Sequence, residues 1–341
     1  MNILVVGRRH PESFAVHIAD TLNYIGYNAL IFDPIFEISL SKNPFQQKLQ
    51  KVRANLFSLY LQTNYGRESH FNKFKKFLEG KKVDLVISCH DFLTPAQVQW
   101  VKKHYLSKVV LWFPDAISNF GKAMFLDSDY DALFFKEPFV VEVLKNEYNK
   151  NAYYLPECCN PFKHNKINVT KDDLMTYGCE LTTAGNMHTA RSAFFKNLVE
   201  YDVKIWGTSA PSWLDARSVK HMIQNHFVIN EEKSKAFACS KIVINTMHPT
   251  EIYGANVRLF EIAATGSFQL CNYRSALDDL YEIDEELIVF KTLDEFHEKA
   301  RFYLKNESLR KQIGEKAYIR TMKDHTYEKR LNLMLKLLNE C

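Results

Sequence analysis

Two charged residues, Arg258 and Glu261, lie within one short predicted helix in the C-terminal half of the chain. Because residues three apart share a helix face, their side chains are expected on the same side. The helix is predicted over residues 257–265, where Asn256 is suited to cap its first turn and Gly266 to end it in a left-handed turn. Apolar, β-branched runs before and after it predict two buried parallel strands.

The first turn of such a helix is suited to bind phosphate, because its backbone N–H groups are unpaired and lie at the positive end of the helix dipole. Arg258 adds a planar, permanently charged fork for phosphate oxygens. One turn deeper, the Glu261 carboxylate can accept hydrogen bonds from the vicinal hydroxyls of a ribose. The pair therefore predicts a seat for a nucleoside diphosphate. Spacing alone leaves an alternative, in which the two side chains form an ion pair with each other on a solvated face.

The sequence around this helix resembles the CgeB-like family of glycosyltransferases, the spore-maturation protein type. The resemblance covers about residues 180 to 330 and is weak in the N-terminal half. It is carried by Asn256-x-Arg-Leu-Phe-Glu-Ile-Ala-Ala-x-Gly-Ser-Phe-Gln-Leu, by His325-Thr-Tyr-x-x-Arg330, by Ala184-Gly-Asn with Arg191, by Ile205-Trp-Gly and by Ser240-Lys-Ile-Val-Ile-Asn.

The resemblance implies an α/β protein of GT-B architecture, in which two Rossmann-like, doubly wound domains face each other across a cleft. A chain of 341 residues also exceeds a comfortable single core. We expect an N-terminal, acceptor-side domain over residues 1–160 and a nucleotide-sugar-binding domain over residues 161–325. The C-terminal helix, residues 326–341, is expected to cross back and pack on the first domain.

The donor nucleotide is expected on the second domain, at the ends of its predicted strands. Gly185 would let the backbone approach a ligand, and a short strand at Phe227–Ile229 is expected near the base. Arg191 and Arg258 would neutralise charge on the leaving nucleotide, which elsewhere is the task of a divalent metal, so no metal site is predicted. The expected donor-binding residues are Gly185, Asn186, Arg191, Gly207, Thr208, Asn256, Arg258 and Glu261.

Glu251 is a candidate catalytic acid, since related retaining enzymes use a pair of acids in this region. Its separation of ten residues from Glu261 departs from their usual spacing, so retention or inversion of configuration stays open. Arg258 is expected to take part in catalysis as well as in binding.

The N-terminal half begins with a strand, a loop, a helix and a second strand, which predicts a doubly wound sheet without a Gly-x-Gly-x-x-Gly fingerprint. Polar residues just past strand ends are expected on the acceptor side. Asp115 and Asp91 are the candidate general bases if the reaction inverts configuration. For both, capping a helix N-terminus is the alternative. The acceptor-side candidates are Arg8, His10, His90 and Asp91, with a solvated loop position as the alternative for His10.

Composition restricts the partners. The net charge of +4 is small and its basic residues are scattered among acidic ones, which excludes nucleic acid as a partner. Seven cysteines without a Cys-x-x-Cys pair predict reduced thiols and neither a zinc site nor a disulfide framework.

No apolar run is long enough to cross a bilayer, so a cytoplasmic protein is expected. Basic and aromatic residues interleave over residues 43–77. This pattern leaves open a basic surface that contacts anionic lipid or an acidic acceptor, with a core-packed helix pair as the alternative.

These observations together predict a metal-independent glycosyltransferase of the hexosyl or deoxyhexosyl class that needs no cofactor besides its donor. The donor would be a UDP-, dTDP- or GDP-linked sugar, and the acceptor a glycan, a lipid-linked molecule or a protein. A catalytically inactive GT-B-like nucleotide- or sugar-binding protein is one alternative, and a sugar-nucleotide epimerase of the same shape is the other. The sequence does not specify the oligomeric state.

Overall fold

A computed structural model describes residues 1–35 and 44–340 of the chain. The chain folds into two compact units, each built on its own parallel sheet. We call them the N-terminal and C-terminal domains. The N-terminal domain comprises Met1–Lys136, Val140–Leu155 and the residues from Leu331 onward; the C-terminal domain comprises Glu137–Phe139 and Pro156–Arg330.

The N-terminal domain contains a six-stranded parallel sheet in the order β2-β1-β3-β4-β5-β6. Its strands are β1 (Asn2–Val6), β2 (Asn28–Phe32), β3 (Leu85–Cys89), β4 (Lys108–Phe113), β5 (Ala132–Phe135) and β6 (Ala152–Tyr154). Its helices are α1 (Phe14–Tyr24), α2 (Pro44–Tyr60), α3 (Asn64–Leu78), α4 (Pro95–Tyr105) and α5 (Pro138–Asn146), with short 3₁₀ turns at Ile117–Asn119 and Met124–Leu126. The central strands β3, β4 and β5 are almost entirely buried and apolar, as strands covered on both faces must be.

Capping residues mark where α1 and α4 begin. Ser13 caps α1 by accepting the N–H of Val16 at 3.3 Å. Thr94 and Gln97 form a reciprocal capping box at the start of α4.

Helix α2 exposes large apolar side chains on one face. These are Leu49, Val52, Leu56 and Leu59, spaced three, four and three residues apart.

The C-terminal domain contains a five-stranded parallel sheet in the order β11-β10-β9-β7-β8. Its strands are β7 (Cys179–Ala184), β8 (Val203–Trp206), β9 (Ser240–Asn245), β10 (Gln269–Asn272) and β11 (Ile288–Phe290). Its helices are α6 (Lys171–Tyr177), α7 (Thr189–Phe195), α8 (Asn230–Ala238), α9 (Arg258–Ala264), α10 (Leu277–Leu280), α11 (Leu293–Lys305) and α12 (Glu307–Asp324), with a 3₁₀ turn at Arg217–Met222. The last helix, α13 (Tyr327–Glu340), begins in this domain, and its residues from Leu331 onward belong to the N-terminal domain.

Two local predictions were wrong. Residues 227–229 form no strand; the edge of β8 is instead extended by a single bridge between Ile205 and Ile223. Helix α9 begins at Arg258, and Val257 holds its cap position with helical φ of −56°. Asn256 is therefore not the formal N-cap, although its Oδ1 accepts the N–H of Leu259 at 3.3 Å.

Six of the seven cysteines lie among the residues that the structure describes, and all six are buried free thiols. Cys341 lies outside those residues. No helix in residues 1–35 and 44–340 is long and apolar enough to span a membrane.

Helix α12 approaches the turn after α9 so closely that only glycine fits at position 314. A Cβ added to Gly314 would clash with the carbonyl oxygen of Gly266, whose own φ of +69° ends the turn in the left-handed region.

We predict that Gly314→Ala lowers the free energy of unfolding by about 1–3 kcal/mol, because the added methyl group must push α12 away from a rigid backbone atom. Urea denaturation of the full chain measures this change. Ile319→Ala is the control, since Ile319 lies on the same helix and is 57% exposed, and it should change stability by less than about 0.5 kcal/mol. Equal stability of Gly314→Ala and the wild type would show that the contact is looser than described.

Candidate active site

Two arginines meet at the first loop of the C-terminal domain. Gly185 follows β7 with φ of +123°, a conformation that side chains rarely adopt. A Cβ placed there would lie 3.1 Å from Nη1 of Arg191 and 3.1 Å from Nη2 of Arg258. The guanidinium groups of Arg191 on α7 and Arg258 on α9 therefore converge beside the backbone of Gly185, which has no side chain.

Neutral oxygen atoms hold these guanidinium groups in place. Arg258 donates from Nε to the carbonyl of Ala184 at 2.8 Å and from Nη1 to Oδ1 of Asn245 at 3.3 Å. Arg191 donates from Nη1 to the carbonyl of Asn186 at 2.8 Å, while its Nε is buried and has no hydrogen-bond partner among the described residues. Hydrogen bonds to carbonyl and amide oxygens orient the two cations without cancelling their charge.

Burial acts on both arginines, and repulsion by Arg258 acts on Arg191 as well. Burial, and then the charge of Arg258, lower the pKa of Arg191 well below its usual range. Burial also lowers the pKa of Arg258, against the opposing pull of Glu261 and Glu251. Two positive charges this close together raise the free energy of the folded protein. An anion with two or more negative oxygens would relieve that cost, so the arrangement is suited to a diphosphate.

A second glycine, Gly207, lets the loop after β8 approach the loop after β7. A Cβ on Gly207, just past β8, would lie 2.5 Å from the carbonyl oxygen of Gly185. The N–H of Gly185 donates to the carbonyl of Trp206 at 2.8 Å, and Thr208 Oγ1 donates to Oδ1 of Asn186 at 3.3 Å. Gly185 and Asn186 after β7 therefore pack directly against Gly207 and Thr208 after β8, at the carboxyl edge of the sheet.

Asn256 belongs to the same cluster. Its Nδ2 donates to Oδ1 of Asn245 at 3.0 Å and to the carbonyl of Thr246 at 3.3 Å. Asn245 accepts from both Asn256 and Arg258, so it couples the end of β9 to the start of α9.

The close ionic partners of the Glu261 carboxylate are Lys233 and His164, and not Arg258. Oε1 of Glu261 lies 3.1 Å from Nζ of Lys233 on α8 and 3.6 Å from Nε2 of His164. All three side chains are buried. The alternative of a solvated ion pair between Arg258 and Glu261 is therefore not what the structure shows, because Glu261 is buried among other partners.

A buried carboxylate, Glu137, organises the loop in front of α9. Its two oxygens accept the backbone N–H groups of Ile252 at 2.9 Å, Tyr253 at 2.9 Å and Gly254 at 3.1 Å. Glu251 lies at the start of this loop, where its Oε2 accepts the N–H of His248 at 3.1 Å and its side chain is 5% exposed.

Two histidines lie beside the arginines. The ring centroids of His188 and His248 are 5.2 Å apart. His188 caps α7, where its Nδ1 accepts the N–H of Arg191 at 3.4 Å. Burial, followed by repulsion from Arg191, lowers the pKa of His188 to about 4. The ring is therefore neutral at pH 7, with its proton on Nε2.

In the N-terminal domain the structure brings together two of the predicted residues, His90 and Asp115. Nε2 of His90 lies 2.9 Å from Oδ2 of Asp115. Burial opposes ionisation of Asp115, but the hydrogen bond and charge of His90 outweigh it, so the pKa of Asp115 falls below its usual value. A low pKa makes Asp115 a weak proton acceptor.

Asp91 has different surroundings. Its Oδ2 accepts the N–H of Met124, and burial raises the pKa of Asp91 to about 6. Thr94 caps α4 and Ala116 occupies the cap position of the next 3₁₀ turn. Neither Asp91 nor Asp115 caps the helix that follows it, so that alternative was wrong.

The remaining acceptor-side candidates make local contacts. Nε of Arg8 lies 4.0 Å from Oδ1 of Asp33, and Nδ1 of His10 lies 2.9 Å from the carbonyl of Pro11. The Arg8 contact joins the loops after β1 and β2, whereas the His10 contact stays within one loop, and neither contact reaches His90.

Sequence reasoning missed several residues that hold the donor-side cluster together. Asn245 was recognisable as the polar end of an apolar strand. Glu137 was the acidic residue after β5, but its partners are more than a hundred residues away and no local pattern reveals them. Lys233 and His164 carry no spacing signal relative to Glu261.

The chain is similar to known proteins in part of its sequence and in its fold. Residues 189–336 match a family model described as glycosyl transferase-like. No curated protein sequence matches the chain. Among solved structures, sucrose-phosphate synthase from Thermosynechococcus elongatus is 10% identical with a TM-score of 0.68, over 99% of this chain and 98% of that one. This chain has the GT-B fold.

Two further GT-B neighbours contain nucleotides. Anabaena HepE in complex with UDP-glucose is 9% identical with a TM-score of 0.66, over 100% of both chains. The E. coli trehalose-6-phosphate structure bound with UDP-2-fluoro glucose is 13% identical with a TM-score of 0.63, over 99% of both chains. The GT-B architecture of the prediction is confirmed, while the finer CgeB-like assignment stays a prediction.

We predict that His188 titrates with a midpoint near pH 4, as measured by the ring-proton shifts in NMR. Because the unfolded ring binds a proton near pH 6.5 and the folded ring does not, the contribution of His188 to stability is lost as pH falls from about 6.5 toward 4. Arg191→Gln should raise the midpoint by removing a nearby positive charge, whereas Arg217→Gln, far along the chain and 90% exposed at its side chain, should not. An unchanged midpoint in Arg191→Gln would contradict the described proximity.

We predict that Glu137→Gln destabilises the full chain by about 2 kcal/mol, because a neutral amide replaces a carboxylate that accepts three backbone hydrogen bonds. Hydrogen exchange at Ile252, Tyr253 and Gly254 should accelerate. Glu142→Gln on α5 is the matched control, since Glu142 is exposed. Unaltered exchange at these three amides would mean that Glu137 does not hold the loop.

Proposed function

We propose that this chain is a glycosyltransferase that moves a hexosyl or deoxyhexosyl group from a nucleoside-diphosphate sugar to an acceptor hydroxyl. The observation that carries the proposal is the convergence of Arg191 and Arg258 at Gly185. The match of residues 189–336 to a glycosyl transferase-like model covers both arginines and supports the same conclusion.

The two guanidinium groups supply the chemistry that this reaction needs. When the bond between the anomeric carbon and the diphosphate oxygen breaks, negative charge grows on the leaving nucleotide. Cationic donors already oriented toward that position stabilise the charge more in the transition state than in the ground state. Arg191 and Arg258 would fill the role that a divalent cation fills in other sites, so we propose a metal-independent reaction.

The neighbouring residues fit the rest of a nucleotide. Gly185 and Gly207 leave the backbone bare beside the arginines, where diphosphate oxygens can approach it. Glu261 would accept hydrogen bonds from the ribose hydroxyls, with Lys233 and His164 fixing the orientation of its carboxylate. The neutral His188 would donate from Nε2 to the donor without adding a third positive charge.

A uridine nucleotide is the first donor to test. Two GT-B neighbours carry UDP-linked sugars, HepE with UDP-glucose and the E. coli structure with UDP-2-fluoro glucose. The acceptor would meet the N-terminal domain, where His90, Asp91 and Asp115 lie past the strand ends. We place Glu251 behind the donor loop rather than on the reacting atoms, because it is buried and accepts a backbone N–H there.

We predict that Arg258→Gln and Arg191→Gln each weaken UDP binding by about 10- to 100-fold, the loss expected for charged hydrogen bonds to phosphate. Isothermal titration of UDP, dTDP and GDP against each variant measures this effect. Arg217→Gln is the control, since Arg217 pairs with Asp215 on an exposed loop. Unchanged affinity of both variants for all three nucleotides would remove these arginines from the site.

Release of nucleoside diphosphate from a panel of nucleotide sugars separates catalysis from binding alone. Tight donor binding without release from any donor, even over long incubation with simple sugar acceptors, would favour the inactive binding protein. Conversion of one nucleotide sugar into its epimer, followed by NMR, would favour the epimerase.

A further inference from the structure

The N-terminal domain contains a cavity of about 590 Å³ that the donor site does not use. It lies at the carboxyl edge of the sheet, enclosed by the residues after β2 and β3, by helices α3 and α4, and by the turn around Met124. Its volume is within the range of small-molecule sites. Apolar side chains line much of it, among them Ile35, Leu61, Phe71 and Phe92.

Charged or titratable side chains also line this cavity, namely Arg67, Glu68, His70, Asp91 and Lys122. Among them, the Asp91 carboxylate is in an unusual state. Its Oδ2 is anchored by the N–H of Met124, whereas its Oδ1 is buried without a hydrogen-bond partner among the described residues. Asp91 as a whole is half-buried and lines the cavity, so its carboxylate borders the space that a ligand would occupy. Burial, against the N–H groups of Met124 and Phe125, raises the pKa of Asp91 to about 6.

We propose that this cavity binds the apolar part of an acceptor alcohol, whose hydroxyl donates a hydrogen bond to the Asp91 carboxylate where it borders the cavity. The inference rests on the proposed function, because it names the acceptor class of the same transferase. It also separates two aspartates that looked equivalent: Asp115 is engaged with His90, and Asp91 is the one that faces a cavity.

The surrounding surface favours an alkyl chain as the apolar part. Leu61, which lines the cavity, follows directly after α2. The same helix exposes Leu49, Val52, Leu56 and Leu59 on one face. Exposed apolar side chains on the helix that leads to Leu61 are therefore a second feature that favours an alkyl chain.

Titration of the full chain with n-alkyl β-D-glucosides, from methyl to octyl and below their micelle concentrations, tests the proposal. Each added methylene that enters the cavity should tighten binding by about fourfold. Phenyl β-D-glucoside forms a second arm: tighter binding of phenyl than of hexyl glucoside would contradict the alkyl assignment. Affinity independent of chain length would overturn the cavity as the acceptor site.

Two substitutions locate the bound chain. Ala96→Trp should abolish the gain with chain length, because Ala96 lines the cavity and indole would occupy it. Gln99→Trp is the control, an exposed residue of the same helix that does not line it. Equal chain-length dependence in both variants would place the alkyl group elsewhere.

Asp91→Asn tests the carboxylate. In the wild type, octyl glucoside should bind about fivefold more tightly at pH 7.5 than at pH 5, because the ionised carboxylate accepts the stronger hydrogen bond. Asp91→Asn should bind equally at both pH values, whereas Asp127→Asn, at an exposed aspartate, should keep the dependence. A dependence retained in Asp91→Asn would overturn the role of Asp91. UDP titrated in parallel separates the two proposals: UDP binding without glucoside binding rejects the acceptor cavity alone, and the reverse rejects the donor seat alone.

Discussion

Electrostatic repulsion between the buried guanidinium group of Arg191 and the half-buried one of Arg258 is the constraint on which the C-terminal domain depends. Arg191 and Arg258 converge beside Gly185 and are held there by carbonyl and amide oxygens. Protein interiors rarely keep like charges together, because each raises the free energy of the other. The surrounding fold must therefore supply enough packing to hold both cations, and the binding of an anion would return part of that free energy. A site under this kind of strain binds its ligand and stabilises developing negative charge by the same interaction.

The elements around the arginines can be understood as supports for that arrangement. The parallel strands β7, β8 and β9 end at one edge of the sheet, so the loops that follow them meet. Gly185 and Gly207 allow these loops to approach within a distance that a side chain would prevent. Glu137 ties the backbone of residues 252–254, directly in front of α9, and so limits where Arg258 can lie.

The sequence predicted the parallel sheets well because their strands are short apolar runs between polar turns. The Arg258 helix was also found, to within one residue at each end, since Gly266 marks its end by a left-handed turn. The strand expected at residues 227–229 was wrong, because a few apolar residues in a row do not distinguish a strand from a loop, and here only Val228 of the three is buried. Contacts between distant segments were beyond sequence reasoning. The Glu261 partners Lys233 and His164, and the contrast between Asp91 and Asp115, arise only when the chain folds.

A crystal structure of the full chain with UDP tests the central claim most directly. We expect diphosphate oxygens within about 3 Å of guanidinium nitrogens of both Arg191 and Arg258, with the ribose hydroxyls facing Glu261. A diphosphate bound away from Gly185, or held by lysines elsewhere while the two arginines keep their contacts to Asn186 and Ala184 alone, would contradict the account.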